Sequence, residues 1–314
     1  MGRVSGIVES VKAFASALGR REERQHSPAE VRRPRIGVAL GGGFARGLAH
    51  IGVLKVLDEY RIPVDFVAGT SVGSLIGAAY CSGVPAREIE EIAKLVRMKD
   101  FARWTISRLG FANNDRMTGF LTRVLRCQTF EDLRIPLAVV ATDYTTGEGA
   151  VFTKGSLIDA VRASCAYPGM FLPVRVDGRL LIDGMLVQPV PTLALRELGA
   201  ERVLAIYLSA HWANLNGPRH VFDVIGQCFS IAQAKLCTVW QAEADLILEP
   251  DVRGFSYDAF DRASDLIAAG ERAATEALPT LLKWAGDRSL SAAKQGAAAN
   301  SGAARVMPVA ASTG

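Results

Sequence analysis

Cysteine is scarce in this sequence, and it does not occur in a pattern that would bind metal or build a disulfide framework. The 314 residues include five cysteines, an odd number, and none belongs to a C-x-x-C pair. Neither a zinc site nor the framework of a small secreted domain is therefore expected. Free thiols are typical of a reducing compartment, so we expect a cytoplasmic protein without a metal or another cofactor.

Excess positive charge is confined to one end of the chain. Residues 1–35 contain eight Lys or Arg and four Glu, which accounts for the whole net charge of +4. The remaining chain is neutral, and this argues against a nucleic-acid partner.

Long apolar runs are also few. The N-terminus lacks the apolar core of about 7–15 residues that a secretory signal needs. Residues 66–86 carry no charge, but they include four glycines and a proline. This composition favours a buried strand and helix over a membrane span.

The two ends of the chain differ from its middle. Apolar residues recur at helical spacing in residues 1–24, so residues 1–34 are interpreted as an amphipathic helix followed by a polar linker. That helix either docks on its own domain or a second subunit, or makes peripheral contact with the inner membrane surface. Residues 287–314 are rich in Ala, Gly and Ser and are predicted to be a disordered tail.

Between these ends, residues 35–286 alternate strand and helix patterns. Apolar runs predict strands at residues 36–40, 64–68, 136–142, 202–208 and 246–249. Helical spacing follows at 48–60, 72–81, 86–97, 117–126, 156–163, 188–198, 221–243 and 258–285. Such alternation predicts an α/β fold with a mostly parallel sheet covered on both faces.

The first strand is followed by a glycine-rich turn, residues 41–47 (GGGFARG). Uncovered backbone N–H groups at a helix N-terminus favour an anion. A dinucleotide pyrophosphate, a nucleotide phosphate and the oxyanion of acyl transfer are all candidates. The dinucleotide motif is incomplete and the Gly-Lys-Ser/Thr of a Walker loop is missing, so nucleotide binding is weakly supported.

The second strand is followed by Gly69-Thr70-Ser71-Val72-Gly73, a G-x-S-x-G sequence between a strand and a helix. This is the context of a nucleophile elbow, with Gly69 and Gly73 as the small flanking residues. Ser71 would then be a nucleophile at a helix N-terminus. The alternative is that Ser71 only caps the helix.

A nucleophilic serine needs a base, and the sequence leaves two candidates. His211 follows a predicted strand and fits the Ser–acid–His order of an α/β-hydrolase. Asp183 ends an apolar strand and precedes a glycine, which would let its carboxylate reach a serine directly. Of the other histidines, His26 lies in the linker and His50 is expected to be a packed or surface residue.

Four blocks in this order resemble the patatin-like phospholipases, and most closely the bacterial branch related to neuropathy target esterase. They are GVALGGGFARGLAHIGVL, VAGTSVGSLIGAAY, AVRASCAYPGMFLPV and LLIDGMLVQPVP, and the resemblance covers roughly residues 35–250. It implies a three-layer α/β/α sandwich and a serine acyl hydrolase acting on phospholipid or lysophospholipid. Ser71 would be the nucleophile and Asp183 the base, without histidine.

The same resemblance assigns roles to the glycine-rich loop. The N–H groups of Gly42, Gly43 and Phe44 would form the oxyanion hole. Arg46 would hold the loop in shape or meet a lipid phosphate. Phe44 replaces a glycine of patatin, and we expect its amide to donate only if its φ is negative.

Other positions of the blocks are given no catalytic duty. Arg162, Ser164 and Pro168 are expected to pack a helix and turn beneath the catalytic pair. Met185 stands where the family commonly has Gly or Ala, and we expect it to line an acyl pocket or partly block it. Two other functions stay open: a regulatory binding module with little turnover, and an esterase using Ser71 with His211. The oligomeric state is not predicted.

Overall fold

The structure, a computed structural model, describes residues 32–97, 100–101, 103–104, 110–209 and 221–286. The predicted N-terminal helix and the predicted tail lie outside these residues, as do His26, His211 and His220. Those predictions therefore remain predictions.

A mixed sheet of eight strands forms the centre of the described part of the chain. Its main path runs in the order β11-β10-β1-β2-β5-β9-β8, and β6 pairs with β5. The strands from β11 to β5 are parallel, while β6, β8 and β9 join antiparallel. A second sheet has the order β3-β4-β7. The strands are β1 Ile36–Leu40, β2 Phe66–Thr70, β3 Arg103–Trp104, β4 Gly110–Asn113, β5 Leu137–Asp143, β6 Gly149–Phe152, β7 Gly169–Phe171, β8 Val174–Val176, β9 Arg179–Asp183, β10 Arg202–Ile206 and β11 Leu246–Leu248.

Helices cover both faces of the main sheet. Side chains of β1 alternate between the two cores: Val38 and Leu40 pack in the larger one, and Ala39 packs in the smaller one with Leu195 and Trp240. The described α-helices are α1 Ala49–Glu59, α2 Val72–Cys81, α3 Ala86–Leu95, α4 Asp115–Val124, α5 Leu157–Ser164, α6 Thr192–Leu198, α7 Val221–Ala242 and α8 Ala263–Ala285. The predicted three-layer α/β/α class is thus confirmed, because apolar strand faces on both sides need a helix layer each.

The two chief helices of the larger core cross at glycines. A Cβ on Gly52 of α1 would lie 1.9 Å from the Ile267 carbonyl of α8, and one on Gly270 would lie 1.8 Å from the Ala49 carbonyl. Only glycine permits this approach. The crossing fixes α1, and α1 in turn continues from the glycine-rich turn after β1.

Strand pairing places the ends of three strands together. Thr70 at the end of β2 pairs with Val140 of β5, and the next β5 residue, Ala141, pairs with Asp183 of β9. Strand β9 pairs with β5 in the antiparallel direction, so its last residue, Asp183, lies at the same edge of the sheet as the turn that carries Ser71. Only β5 stands between the two.

The sequence patterns predicted the main elements well and the small ones poorly. The bounds of β1 and α2 are as predicted. The helix expected at residues 188–198 begins only at Thr192, because Pro189 and Pro191 precede it. The short strands β3, β4, β6, β7 and β8 were not predicted, since runs of two to four residues carry too little periodicity.

Candidate active site

Ser71 occupies a strained turn between β2 and α2. Its backbone has φ 54° and ψ −125°, a conformation that L-residues with a side chain rarely adopt. The side chain is almost buried, and its hydroxyl makes no capping bond to the helix. Capping alone therefore does not explain this serine.

The flanking glycines permit the tight turn. A Cβ on Gly73 would lie 2.1 Å from the Leu40 carbonyl, and one on Gly69 would lie 2.5 Å from the Cα of Ser74. The helix thus starts in direct backbone contact with the end of β1. This contact brings the glycine-rich loop and the Ser71 turn side by side.

The structure joins Ser71 to Asp183. The Ser71 hydroxyl donates to Asp183 Oδ2 at 2.7 Å, and the Met185 N–H donates to Oδ1 at 2.9 Å. Asp183 is fully buried at the end of β9. Its backbone is held by Thr142, whose hydroxyl donates to the Asp183 carbonyl at 2.8 Å.

Burial shifts the acidity of this carboxyl. Removal from water raises the pKa of Asp183 to about 7, although the hydrogen bonds from Ser71 and from the Met185 N–H act in the opposite direction. A group that titrates near neutrality can both accept and return a proton at physiological pH.

Ser164 has a structural role at this site that was not predicted from the sequence. Its hydroxyl accepts the Ser71 N–H at 2.8 Å and donates to the Val140 carbonyl at 2.6 Å. It was expected only to pack beneath the pair; instead it ties the backbone of the strained turn to β5. Ser164 and Ser71 lie 93 positions apart, so only the tertiary structure brings the Ser164 hydroxyl to the Ser71 N–H.

The glycine-rich loop differs from its predicted role in one part. The Gly42 N–H donates to the Pro189 carbonyl at 3.0 Å, so that amide is not available to an oxyanion. Within the described part of the chain, neither the Gly43 N–H nor the N–H of Val72, the first residue of α2, donates a backbone hydrogen bond. Gly43 and Val72 are therefore the better candidates for oxyanion donors.

The condition set for donation by the Phe44 amide, a negative φ, is not met. Its φ is 51°, in the left-handed region. The ring packs edge-on against Tyr167 and Tyr257, with centroids 4.7 and 5.9 Å away, and these contacts offset the backbone strain. Because donation was expected only from a negative φ, Phe44 is a weaker candidate for an oxyanion donor than Gly43 and Val72.

Arg46 and Met185 both support the loop. Arg46 is buried and its Nε donates to the Phe255 carbonyl at 3.0 Å, which favours the loop-holding role over contact with a lipid phosphate. Burial lowers its pKa. Met185 does not line the apolar pocket that opens at Ser71: its Cγ lies 2.4 Å from where a Cβ on Gly42 would stand. The expectation that Met185 lines an acyl pocket is therefore wrong for this pocket, and the expectation that it partly blocks one stays a prediction.

His50 is packed, as expected, but with a specific contact. It is fully buried on α1, and its Nε2 lies 2.7 Å from the Gly41 carbonyl. Burial lowers the pKa of His50 to about 4, so the imidazole is neutral and Nε2 carries the proton donated to that carbonyl. His50 thus holds the start of the glycine-rich loop and does not approach as a base.

An apolar pocket opens from Ser71. Helices α2, α3 and α4 supply half of the lining residues, among them Leu75 and Ala79 of α2 and Ile92 of α3. Apart from Ser71 the lining consists of aliphatic and aromatic residues and Cys165. Burial raises the pKa of the Cys165 thiol well above its usual range, so Cys165 is a neutral wall residue rather than a rival nucleophile. An acyl pocket was expected from the sequence, but the residues that line it were not predicted.

A strained serine at a strand–helix turn, hydrogen-bonded to a buried carboxylate, is the arrangement that an activated nucleophilic serine needs. The chain belongs to the patatin-like phospholipase family, an ester hydrolase family, whose family model matches residues 38–196.

Similar proteins carry related names. An uncharacterized NTE family protein of Mycobacterium tuberculosis is 35% identical over 179 residues, which are 56% of this chain and 49% of that protein. Neuropathy target esterase sws of Drosophila melanogaster is 37% identical over 54% of this chain and 13% of its own length. Patatin-like phospholipase domain-containing protein 6 of Homo sapiens is 38% identical over the same shares. The matched part is thus half or less of each relative.

Two solved structures align with this chain at low identity and with TM-scores below 0.5. VipD from Legionella pneumophila aligns with 79% of this chain and 67% of its own, with a TM-score of 0.48 and 13% identity. The type III effector protein ExoU aligns with 81% of this chain and 54% of its own, with a TM-score of 0.43 and 12% identity.

Proposed function

We propose that this protein is a serine acyl hydrolase that cleaves ester bonds of phospholipids or lysophospholipids and so contributes to lipid metabolism. The observation that carries the proposal is the 2.7 Å hydrogen bond from Ser71 to Asp183 at a strained turn that opens onto an apolar pocket. Family membership supports it.

The first half of the reaction forms an acyl-enzyme. Ser71 Oγ attacks the ester carbonyl carbon while Asp183 Oδ2 accepts the hydroxyl proton. The carbonyl oxygen becomes an oxyanion, and the N–H groups of Gly43 and Val72 are the proposed donors. Collapse of the intermediate expels the alcohol, which takes the proton from Asp183.

The second half regenerates the serine. Water attacks the acyl carbon while Asp183 accepts a proton from the water. The Ser71 alkoxide then leaves and takes that proton back from Asp183. The fatty acid is released. The Met185 N–H donates a hydrogen bond to Asp183 Oδ1, so Oδ2 is the oxygen that accepts and returns the proton.

The pocket supports an acyl chain as the bound part of the substrate. Its wall offers no charged side chain to a headgroup. Transfer of a hydrocarbon chain from water into this pocket would contribute about 0.8 kcal/mol of binding free energy per methylene. We therefore place the chain in the pocket and the alcohol part of the lipid outside it.

The test is fatty-acid release from lysophosphatidylcholine and from a p-nitrophenyl ester, without added metal. Ser71→Ala and Asp183→Asn should each lower kcat/KM at least about 10³-fold, because nucleophile and base act as a unit. His211→Ala should stay active. Asp261→Asn, at an exposed carboxylate, is the matched control for the loss of a charge.

Each variant is checked for folding by thermal unfolding. Loss of activity in His211→Ala with an active Asp183→Asn would replace the Ser–Asp pair by a serine–histidine mechanism. A folded wild type that cleaves neither substrate and never labels with a serine-directed probe would favour the regulatory binding module.

A further inference from the structure

One face of α7 exposes apolar side chains. Among the residues that the structure describes, large apolar side chains are exposed at seven positions, and three of them are on this helix: Val224 at 48%, Ile231 at 54% and Val239 at 53%. Their spacing of seven and eight residues places them on a single line along the helix. We call these three residues the α7 stripe.

The stripe is long and nearly uncharged. Fifteen residues separate its ends, which corresponds to about 22 Å along the helix axis. Between residues 224 and 242 the sequence contains no Asp or Glu, and Lys235 is the single charged residue. By contrast, the exposed face of α3 carries several charged side chains, such as Arg87 and Glu91.

The opposite face of α7 is already used for packing. Phe229 and Trp240 are buried, and the ring of Phe229 stacks on Tyr167 at a centroid distance of 4.8 Å. Tyr167 lines the same pocket as Ser71. The α7 stripe therefore faces outward from a helix that is packed against the wall of the candidate active site.

The size of the stripe distinguishes two kinds of partner. A helix is about 10 Å wide, so the stripe covers about 220 Å². A stable dimer needs about 800 Å² from each subunit. Shallow insertion among lipid headgroups needs only an apolar helix face, and a carboxylate on that face would oppose it near anionic lipid.

We propose that the α7 stripe is the surface by which the protein rests on a phospholipid bilayer, with the candidate active site next to the lipid. This inference rests on the proposed function, because it supplies the route by which a lipid substrate reaches Ser71. It locates lipid contact on α7, independently of residues 1–24.

The test uses the full chain and two vesicle types, phosphatidylcholine alone and an equal mixture of phosphatidylcholine and phosphatidylglycerol. Binding is measured by co-sedimentation, which needs no catalysis. Ile231→Glu/Val239→Glu should bind both vesicle types at least about tenfold more weakly than wild type, because two apolar side chains no longer leave water. Val151→Glu, the same change at an exposed valine of β6, is the matched control and should bind like wild type.

A second pair, Ile231→Gln/Val239→Gln, separates apolar insertion from charge repulsion, and it should also bind more weakly. Hydrolysis of a soluble short-chain ester should be unchanged in both pairs. Wild-type protein that does not sediment with vesicles would overturn the docking surface, and so would variants that bind as wild type does. A wild-type dimer that the Glu pair converts to a monomer would assign the stripe to a second copy of this chain instead.

These outcomes are distinct from those of the proposed function. If the protein binds vesicles through the stripe but hydrolyses no ester, the docking surface stands and the hydrolase fails. If esters are hydrolysed but the stripe variants bind vesicles as wild type does, the hydrolase proposal stands and the docking surface fails.

Discussion

The two sides of Ser71 are built in opposite ways. On one side, buried polar groups are joined by hydrogen bonds: the Ser71 hydroxyl donates to Asp183, the Ser71 N–H donates to Ser164, and both partners are hydrogen-bonded to residues of β5. On the other side lies the pocket, whose wall consists of apolar side chains. Directional bonds fix reacting atoms within tenths of an ångström, whereas apolar packing sets only shape and volume.

The difference predicts a division of labour. Changes on the polar side should affect every ester alike, because each reaction passes through the same proton transfer. Changes on the apolar side should alter the preference among acyl chains and leave the chemistry of short esters intact. Mutations that break this rule would show that the two sides are coupled.

After the loss of Ser71 or Asp183 themselves, the largest expected effect is that of pH on the polar side. The base must be ionised, and burial raises the pKa of Asp183 to about 7. At pH values below 7, kcat/KM should therefore fall about tenfold per unit, or about 100-fold at pH 5, for long and short esters alike. A pH–rate profile of both substrates measures this, and a profile that is flat from pH 5 to 8 would contradict the assignment.

The same carboxyl should act on stability in the opposite sense. Its folded pKa of about 7 exceeds the ordinary value of 3.8, so the folded state holds the proton more tightly. The stabilisation is fully present below pH 4 and is lost as the pH rises through about 7. Asp183→Asn, which cannot ionise, should lack this loss, and denaturant unfolding at pH 4 and pH 8 provides the comparison.

An intermediate effect on kcat is expected from changes at His50, which is hydrogen-bonded to the first residue of the glycine-rich loop. His50→Leu removes the donor to the Gly41 carbonyl, and kcat should fall about 10- to 100-fold with little change in KM, because the loop contacts the oxyanion only in the transition state. His50→Gln keeps an N–H donor near the position of Nε2 and should recover part of kcat. Because the pKa of His50 lies near 4, neither variant should move the pH profile.

A folded His50→Leu protein with wild-type kcat would show that the loop needs no such support. A rise in KM with kcat unchanged would instead place His50 in ground-state binding.

The smallest change in absolute rate is expected on the apolar side. Ala79 lies eight residues beyond Ser71 on the pocket face of α2, or about 12 Å along the helix. Ala79→Phe should fill the pocket there and lower the ratio of kcat/KM for a myristoyl ester to that for a butyryl ester about tenfold. The butyryl rate itself should stay within about twofold. Ala79→Val, with a smaller side chain, should lie between the two, and an equal loss for both esters would contradict the division of labour.

Much of the local structure was predictable. The bounds of β1 and α2 follow from apolar periodicity, and the G-x-S-x-G sequence between β2 and α2 indicates the turn at Ser71. Asp183 was one of two candidate bases on residue pattern alone. The structure joins it to Ser71, while His211 lies outside the described residues.

The supporting contacts were not predictable, because most of them join distant parts of the chain. Ser164 reaches the Ser71 amide across 93 positions, and Pro189 occupies the Gly42 amide that was expected to be available. His50 looked like an ordinary packed histidine, since nothing in its neighbouring residues shows which carbonyl its ring would meet. The pocket likewise forms only where α2, α3 and α4 come together.

The sequence by itself determined the elements and the strained turn, because strand, turn and helix depend on residues within a few positions of one another. Only the tertiary structure decided which carboxylate meets the serine. Asp183 stands 112 positions beyond Ser71, and the antiparallel pairing of β9 with β5 brings it there. The tertiary structure also decided that this carboxyl titrates near neutrality. Its pKa depends on burial, and burial exists only once the sheet and its two helix layers have closed around it.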